Sequence, residues 1–158
     1  MNTTNAENEI VRIERTMRAP PERVYRAFLD PELLERWLGP GEMTVGPVTV
    51  EARVGGKIRA PHSMHGASSG SFEGVFVKMV PNRELVYRWA FLGTEPDKGE
   101  YFDTLVHVVL RPAPGGKTRL TIVHEKLEEL RRGAPEIAAQ LVPGWTEVLG
   151  KMEDALVR

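Results

Sequence analysis

The sequence contains no cysteine among its 158 residues. This absence excludes disulfides, thiolate nucleophiles and Cys-ligated zinc or iron–sulfur centres, and it is typical of proteins from a reducing compartment. The chain also lacks any run of about 18 consecutive apolar residues, and it does not start with a basic segment followed by an apolar one. We therefore expect no membrane span and no export, and we predict a cytoplasmic protein.

An excess of positive charge is missing too. Lys and Arg total 21 against 22 Asp and Glu, which gives a formal net charge of −1. The basic residues are scattered among acids, whereas nucleic acid binding needs them on one surface, so we expect no nucleic acid partner. The glycine-rich phosphate-binding motifs are also absent from the sequence.

The spacing of apolar residues changes twice along the chain. Near alternation over residues 10–17 predicts a strand, and two short helices follow, the second with Asp30 as N-cap and Pro31 in its first turn. From Met43 to Val123 the period is two, and short connections predict antiparallel hairpins. The strands predicted in this region span residues 48–54, 57–62, 71–80, 84–91, 102–111 and 118–127.

The helical period resumes at the end of the chain, over residues 137–156. Pro143 lies inside this segment, so we expect either a kink or a new helix start there. No other element is long enough to cover the apolar face of the sheet. We predict an α+β fold of about six to seven antiparallel strands under this helix, formed by one domain over residues 9–158, with residues 1–8 as a disordered tail.

Several motifs occur in an order that resembles a known superfamily. They are IVRIERTMRAPPERVYRAFLDPELLERWLGP, the Gly-Gly of RVGGKIR, EGVFVKMVPNRELVYRW, the GGKTRLTIVHE hairpin and a late Gly-Trp pair. Over residues 9–157 the chain resembles bacterial members of the START-like, polyketide-cyclase-like (SRPBCC) superfamily. The most similar subgroup is related to the C-terminal domain of the activator of heat shock protein 90 ATPase.

This resemblance implies a helix-grip fold. In that fold a curved antiparallel sheet wraps around a long C-terminal helix, and an apolar cavity between the two is the usual binding site. The resemblance also implies a histidine three residues before the Gly-Trp pair, where this chain has Leu141. Any role of that histidine is therefore absent here, and the expected cavity is more apolar.

The residues expected to line this cavity are mostly apolar. For the strand at 71–80 two assignments are open: Lys78 favours Val75 and Val77 facing inward, and the alternative turns Phe72 and Phe76 inward. Another possibility is that the lining side chains simply fill the interior, because protein cores are close-packed. The predicted ligand-binding residues are Trp37, Val75, Val77, Tyr87, Trp89, Phe91, Val106, Val108, Ile122, His124, Leu141, Trp145, Val148, Leu149 and Met152.

Two polar residues are candidates for catalysis in that cavity. His124 has the inward parity of Ile122, and Glu73 has that of Val75. If they met, they could form an acid/base pair for proton abstraction or dehydration, the chemistry that the resemblance to cyclases implies. The alternative for His124 is a hydrogen-bonded histidine of the core.

Metal and cofactor sites are not expected. His62 and His65 have a spacing that metal ligands can have, but they lack a third ligand and nearby acids. We therefore predict no metal and no cofactor.

Three functions are compatible with the sequence. The one we favour is binding of a small hydrophobic or aromatic molecule without covalent chemistry. The second is an enzyme of the cyclase, aromatase or dehydratase type, and the third is a protein-interaction role, which the resemblance to a chaperone activator suggests without any motif for the partner. Val109 and Val123 are expected on the outer face of the sheet, where they could serve a homodimer.

Overall fold

The structure, a computed structural model, describes residues 3–5, 10–94 and 101–157, without the side chains of residues 3–5 and 101. The strands in these ranges are β1 (Thr3–Asn5), β2 (Ile10–Met17), β3 (Thr44–Val45), β4 (Thr49–Val50), β5 (Lys57–Met64), β6 (Ala67–Val80), β7 (Glu84–Leu92), β8 (Tyr101–Ala113) and β9 (Lys117–Glu125). The helices are α1 (Pro21–Ala27), α2 (Pro31–Trp37), α3 (Glu128–Gly133), α4 (Pro135–Ala139) and α5 (Leu141–Leu156).

The strands form one antiparallel sheet. Strands β5 to β9 follow one another as a meander, and β2 lies beside β9, so that the first long strand pairs with the last. Ile13 faces Ile122 across this pair, and Val11 faces His124. One face of the sheet packs against α5, which confirms the predicted α+β fold with its C-terminal helix on the sheet.

Local sequence determines where the helices begin. The Asp30 side chain accepts hydrogen bonds from the backbone N–H of Glu32 at 2.9 Å and of Leu33 at 3.4 Å, which confirms its predicted role as N-cap of α2. Helix α5 begins at Leu141, so Pro143 falls in its first turn. Backbone N–H groups of a first turn have no helical partner, and the proline therefore removes no helical bond.

A β-bulge in β6 makes one sequence prediction wrong. Phe76 is opposite Tyr87 and Lys78 is opposite Val86, which leaves Val77 as the extra residue. Before the bulge Phe72 and Phe76 face the core and Val75 is half-buried, and Val77 in the bulge is 48% exposed. After the bulge the alternation is inverted, so Lys78 is exposed and Met79 packs on the core. The alternative assignment of this strand is thus the right one before the bulge.

One buried carboxylate attaches α5 to β2. Glu153 accepts hydrogen bonds from Arg15 Nη2 and from the backbone N–H of Arg18, both at 2.8 Å. Burial alone would raise the pKa of Glu153, but the hydrogen bonds from Arg15 and Arg18 hold it below its usual value. The ionised side chain thereby fixes the position of the helix on the sheet.

Residues 3–5, which fall in the tail expected to be disordered, form β1 and pair with β2; the rest of that tail lies outside the described residues.

On the outer face of the sheet Val109 and Val123 are half-buried, and a homodimer through this face stays a prediction. None of the helices in the described ranges has the length and apolar character that a membrane crossing requires.

Candidate functional site

Six ring side chains gather between the sheet and the first half of α5. Trp89 lies at their centre, with ring centroids 5.0 Å from Phe72, 4.8 Å from His124 and 6.2 Å from Trp145. The inward alternation of β6, β7 and β9 brings these residues together, because each strand contributes from the face that meets α5. We call this set the aromatic cluster; its members are Phe72, Tyr87, Trp89, Phe91, His124 and Trp145.

A chain of hydrogen bonds fixes the histidine of the cluster. The Trp145 indole N–H donates to His124 Nδ1 at 3.1 Å. Because Nδ1 accepts, the hydrogen of the neutral ring is on Nε2, which donates to the Thr104 hydroxyl at 2.7 Å. Thr104 in turn donates to the carbonyl oxygen of Trp89 at 2.6 Å. Both ring nitrogens of His124 are therefore occupied.

Burial determines the charge of this histidine. His124 is fully buried, and desolvation lowers its pKa to about 3. The imidazole is thus neutral at physiological pH, and each of its nitrogens already has a partner. These contacts agree with the interpretation of His124 as a hydrogen-bonded histidine of the core, and they leave the ring no free nitrogen for proton transfer.

Glu73, the other catalytic candidate, lies on the opposite face of the sheet. Its carboxylate accepts a hydrogen bond from Arg59 Nε at 3.1 Å, in a pair that is largely open to solvent. The expectation that Glu73 points inward came with the wrong register of β6, since the residue shares the parity of Val75. The acid/base pair of Glu73 and His124 is therefore not formed.

Most other predicted lining residues are inside. Trp37 is buried but belongs to a separate contact, where its indole N–H donates to the carbonyl of Ala27 at 2.9 Å and its ring packs on Phe28. The remaining residues lie on inward faces of β8, β9 and α5 within the core. They are Val106, Val108, Ile122, Leu141, Val148, Leu149 and Met152.

The interface between the sheet and α5 is packed at the aromatic cluster. The rings of Trp89, His124 and Trp145 contact one another, so they occupy space where the sequence predicted an opening. The indole N–H of Trp89 is buried, in a residue that is only 8% exposed, and it has no hydrogen-bond partner among the residues that the structure describes. An unpaired buried donor is costly, and native structures contain few of them.

Two open grooves lie on the surface of the described residues. One, of about 360 Å³, is formed by α3, α4 and the start of α5, and its lining residues are Arg131, Pro135, Ala138, Ala139 and Val142. We call it the α4 groove. The other, of about 250 Å³, lies between α1, α2 and the end of α5 and is lined mainly by charged side chains.

Sequence reasoning missed two residues of this region. Thr104 is buried and completes the hydrogen bonds of His124, and its parity with Val106 on β8 was a usable signal. Arg131 occurs in a mixed-charge segment, EKLEELRRG, which gives no hint of a groove.

Metal ligands do not cluster in the described ranges, where no group of three His, Asp or Glu side chains is placed to hold an ion. His62 Nδ1 lies 2.8 Å from the carbonyl oxygen of Ala60, and His65 Nε2 lies 3.7 Å from Glu42. The two histidines thus have different neighbours, and no third ligand accompanies them in this part of the chain.

Comparisons with known proteins agree with the fold. Among solved structures, a protein of Chromobacterium violaceum is 30% identical, with 93% of this chain and 96% of that chain covered and a TM-score of 0.74. A protein of Arthrobacter aurescens is 24% identical, covering 99% and 91%, with a TM-score of 0.81. For a protein of Rhodobacter sphaeroides the identity is 21%, the coverage 99% and 97%, and the TM-score 0.79.

The sequence itself matches one family. None of the curated proteins matches the chain. Residues 18–157 match the family described as Activator of Hsp90 ATPase homolog 1-like protein. The match spans nearly the whole chain and confirms the resemblance inferred from the motifs. The chain belongs to the Activator of Hsp90 ATPase homolog 1-like family.

Proposed function

We propose that this protein binds a small hydrophobic or aromatic molecule between the sheet and α5, at the aromatic cluster, without covalent chemistry. Family membership supports this, since it fits a ligand-binding fold. The observation that carries the proposal is the buried indole N–H of Trp89, for which the described part of the chain provides no acceptor. A bound molecule with an apolar body and one hydrogen-bond acceptor would satisfy this donor in an otherwise apolar site.

Access to the cluster requires a part of the structure that opens easily, and α4 fits this requirement. None of its residues is fully buried, its N-terminal end has no side-chain cap, and only Ile137 and Ala138 pack half-buried against the core. Displacing it therefore exposes less apolar surface than displacing a helix with a buried face. The α4 groove lies beside this helix and reaches Val142, one turn before Trp145 on α5. We assign the route to the aromatic cluster to this groove.

Filling the α4 groove is expected to weaken binding. Ala139 is exposed and lines the groove, so Ala139→Trp places a large ring there without disturbing the core. The neutral fluorescent dye N-phenyl-1-naphthylamine, whose emission rises in apolar surroundings, serves as the probe. Wild type should bind it, and Ala139→Trp should bind it about tenfold more weakly, a loss of about 1.4 kcal/mol.

Ala52→Trp is the matched control, because Ala52 is also exposed and does not line the α4 groove. It should bind the dye like wild type. If both variants bind the dye equally weakly, the loss of affinity does not come from the groove. If Ala139→Trp binds the dye as tightly as wild type does, the groove is not the route to the aromatic cluster.

The packed interior favours a second candidate, a protein-interaction role on the exterior surface, as in a chaperone activator. Side chains that already fill the aromatic cluster leave the outer surfaces as the place for recognition. The dye experiment separates the two functions, since wild-type protein that binds no dye would support the interaction role.

For either function we propose that the protein works in the cytoplasm, because a sequence without cysteine is typical of a reducing compartment.

A further inference from the structure

The α4 groove contains one charged residue, and that residue is positive. Arg131 belongs to the lining, together with a proline, two alanines and Val142. Its Nε–H is buried and has no hydrogen-bond partner among the described residues. The acidic side chains of α3 and α4 are exposed and do not line the groove; they are Glu128, Glu129 and Glu136.

The helix that carries Arg131 packs against a phenylalanine that neighbours the aromatic cluster. A Cβ atom added to Gly133, in α3, would lie 2.2 Å from Phe102 Cε1, so the Phe102 ring packs directly on this helix. Phe102 pairs with Phe91 across β7 and β8, and the Phe91 ring contacts Trp89. Phe102 and Phe91 thus connect α3, which carries Arg131, to Trp89 of the aromatic cluster.

We infer that the ligand is an amphipathic organic anion, with its anionic group at Arg131 and its apolar body directed toward the aromatic cluster. This inference rests on the proposed function and adds the class of ligand. A carboxylate, sulfonate or phosphate oxygen is the acceptor that a guanidinium N–H binds best, since charge-assisted hydrogen bonds are the strong ones. The neutral, apolar remainder of the lining suits a hydrocarbon or aromatic body and offers no competing anion to Arg131.

Two dyes that share one skeleton test this inference. N-phenyl-1-naphthylamine is neutral, and 8-anilinonaphthalene-1-sulfonate carries one sulfonate on the same anilinonaphthalene frame. Arg131→Gln should weaken binding of the sulfonate dye about tenfold and leave that of the neutral dye within about twofold of wild type. Arg132→Gln is the matched control, because Arg132 is the exposed neighbour that does not line the groove, and it should leave both affinities unchanged.

The outcomes separate the inference from the proposed function. If both dyes bind wild type and Arg131→Gln changes neither affinity, the anionic ligand is refuted while binding at the cluster stands. If neither dye binds wild type, both are refuted. Salt provides a measurement that needs no variant: the ratio of sulfonate-dye to neutral-dye affinity should fall as ionic strength rises, and a constant ratio would also overturn the inference.

Discussion

Replacement of Trp145 by alanine is expected to lower the free energy of unfolding by about 3–5 kcal/mol. The indole is 4% exposed and packs against Trp89 and His124, so truncation removes contacts and leaves a void that the surrounding rings cannot fill. It also deprives His124 Nδ1 of its donor. Urea unfolding followed by circular dichroism measures the change without using tryptophan emission.

The control for this variant is Asp154→Ala, an exposed position on the same helix, where the change should stay within about 0.5 kcal/mol. A loss below about 1 kcal/mol in Trp145→Ala would contradict the packed interior. Because this loss is large, Trp145→Ala would change the folded fraction as well as the affinity for a ligand. Groove variants, which leave the core intact, separate the two effects.

Acid is expected to destabilise the protein through His124. The unfolded chain has an ordinary histidine pKa near 6.5, whereas the folded pKa is about 3. Below pH 6.5 the unfolded state therefore binds more protons, and stability falls as pH falls toward 3. The slope approaches about 1.4 kcal/mol per pH unit, so His124 alone removes about 2 kcal/mol between pH 7.5 and pH 5.

Comparison with His124→Gln isolates this contribution, because the glutamine amide can accept from Trp145 and donate to Thr104 as the imidazole does. Between pH 7.5 and 5 wild type should lose about 2 kcal/mol more than this variant. If the free energy of unfolding changes with pH in the same way for wild type and His124→Gln, His124 is not buried in its neutral form.

The sequence predicts much of this fold because most elements follow local rules. Alternation identifies the inward residues of β7, β8 and β9, and Asp30 with Pro31 defines the start of α2. These features depend on neighbours in sequence, and the structure confirms them. The pairing of β2 with β9 joins segments that are far apart in the sequence, and no local pattern predicts it.

The site was harder to predict because it depends on register and packing. Because of one extra residue in β6, the face of Lys78 predicts the wrong faces for Val75 and Glu73 before it, and periodicity cannot locate a bulge. Whether rings fill a space or enclose one depends on side-chain packing, which alternation does not determine. The sequence allowed two interpretations of His124, a catalytic group or a hydrogen-bonded histidine of the core. Only the positions of Thr104 and Trp145 decide between them.

NMR tests most directly whether a small apolar molecule binds at the aromatic cluster. The protein has three tryptophans, so three indole N–H resonances of ¹⁵N-labelled protein can be followed during a titration with N-phenyl-1-naphthylamine. We predict that the Trp89 and Trp145 signals shift with saturation while that of Trp37, bonded to Ala27 in a separate contact, stays in place. Fluorescent binding with the Trp89 and Trp145 signals unmoved, or with Trp37 moving as far as they do, would contradict it.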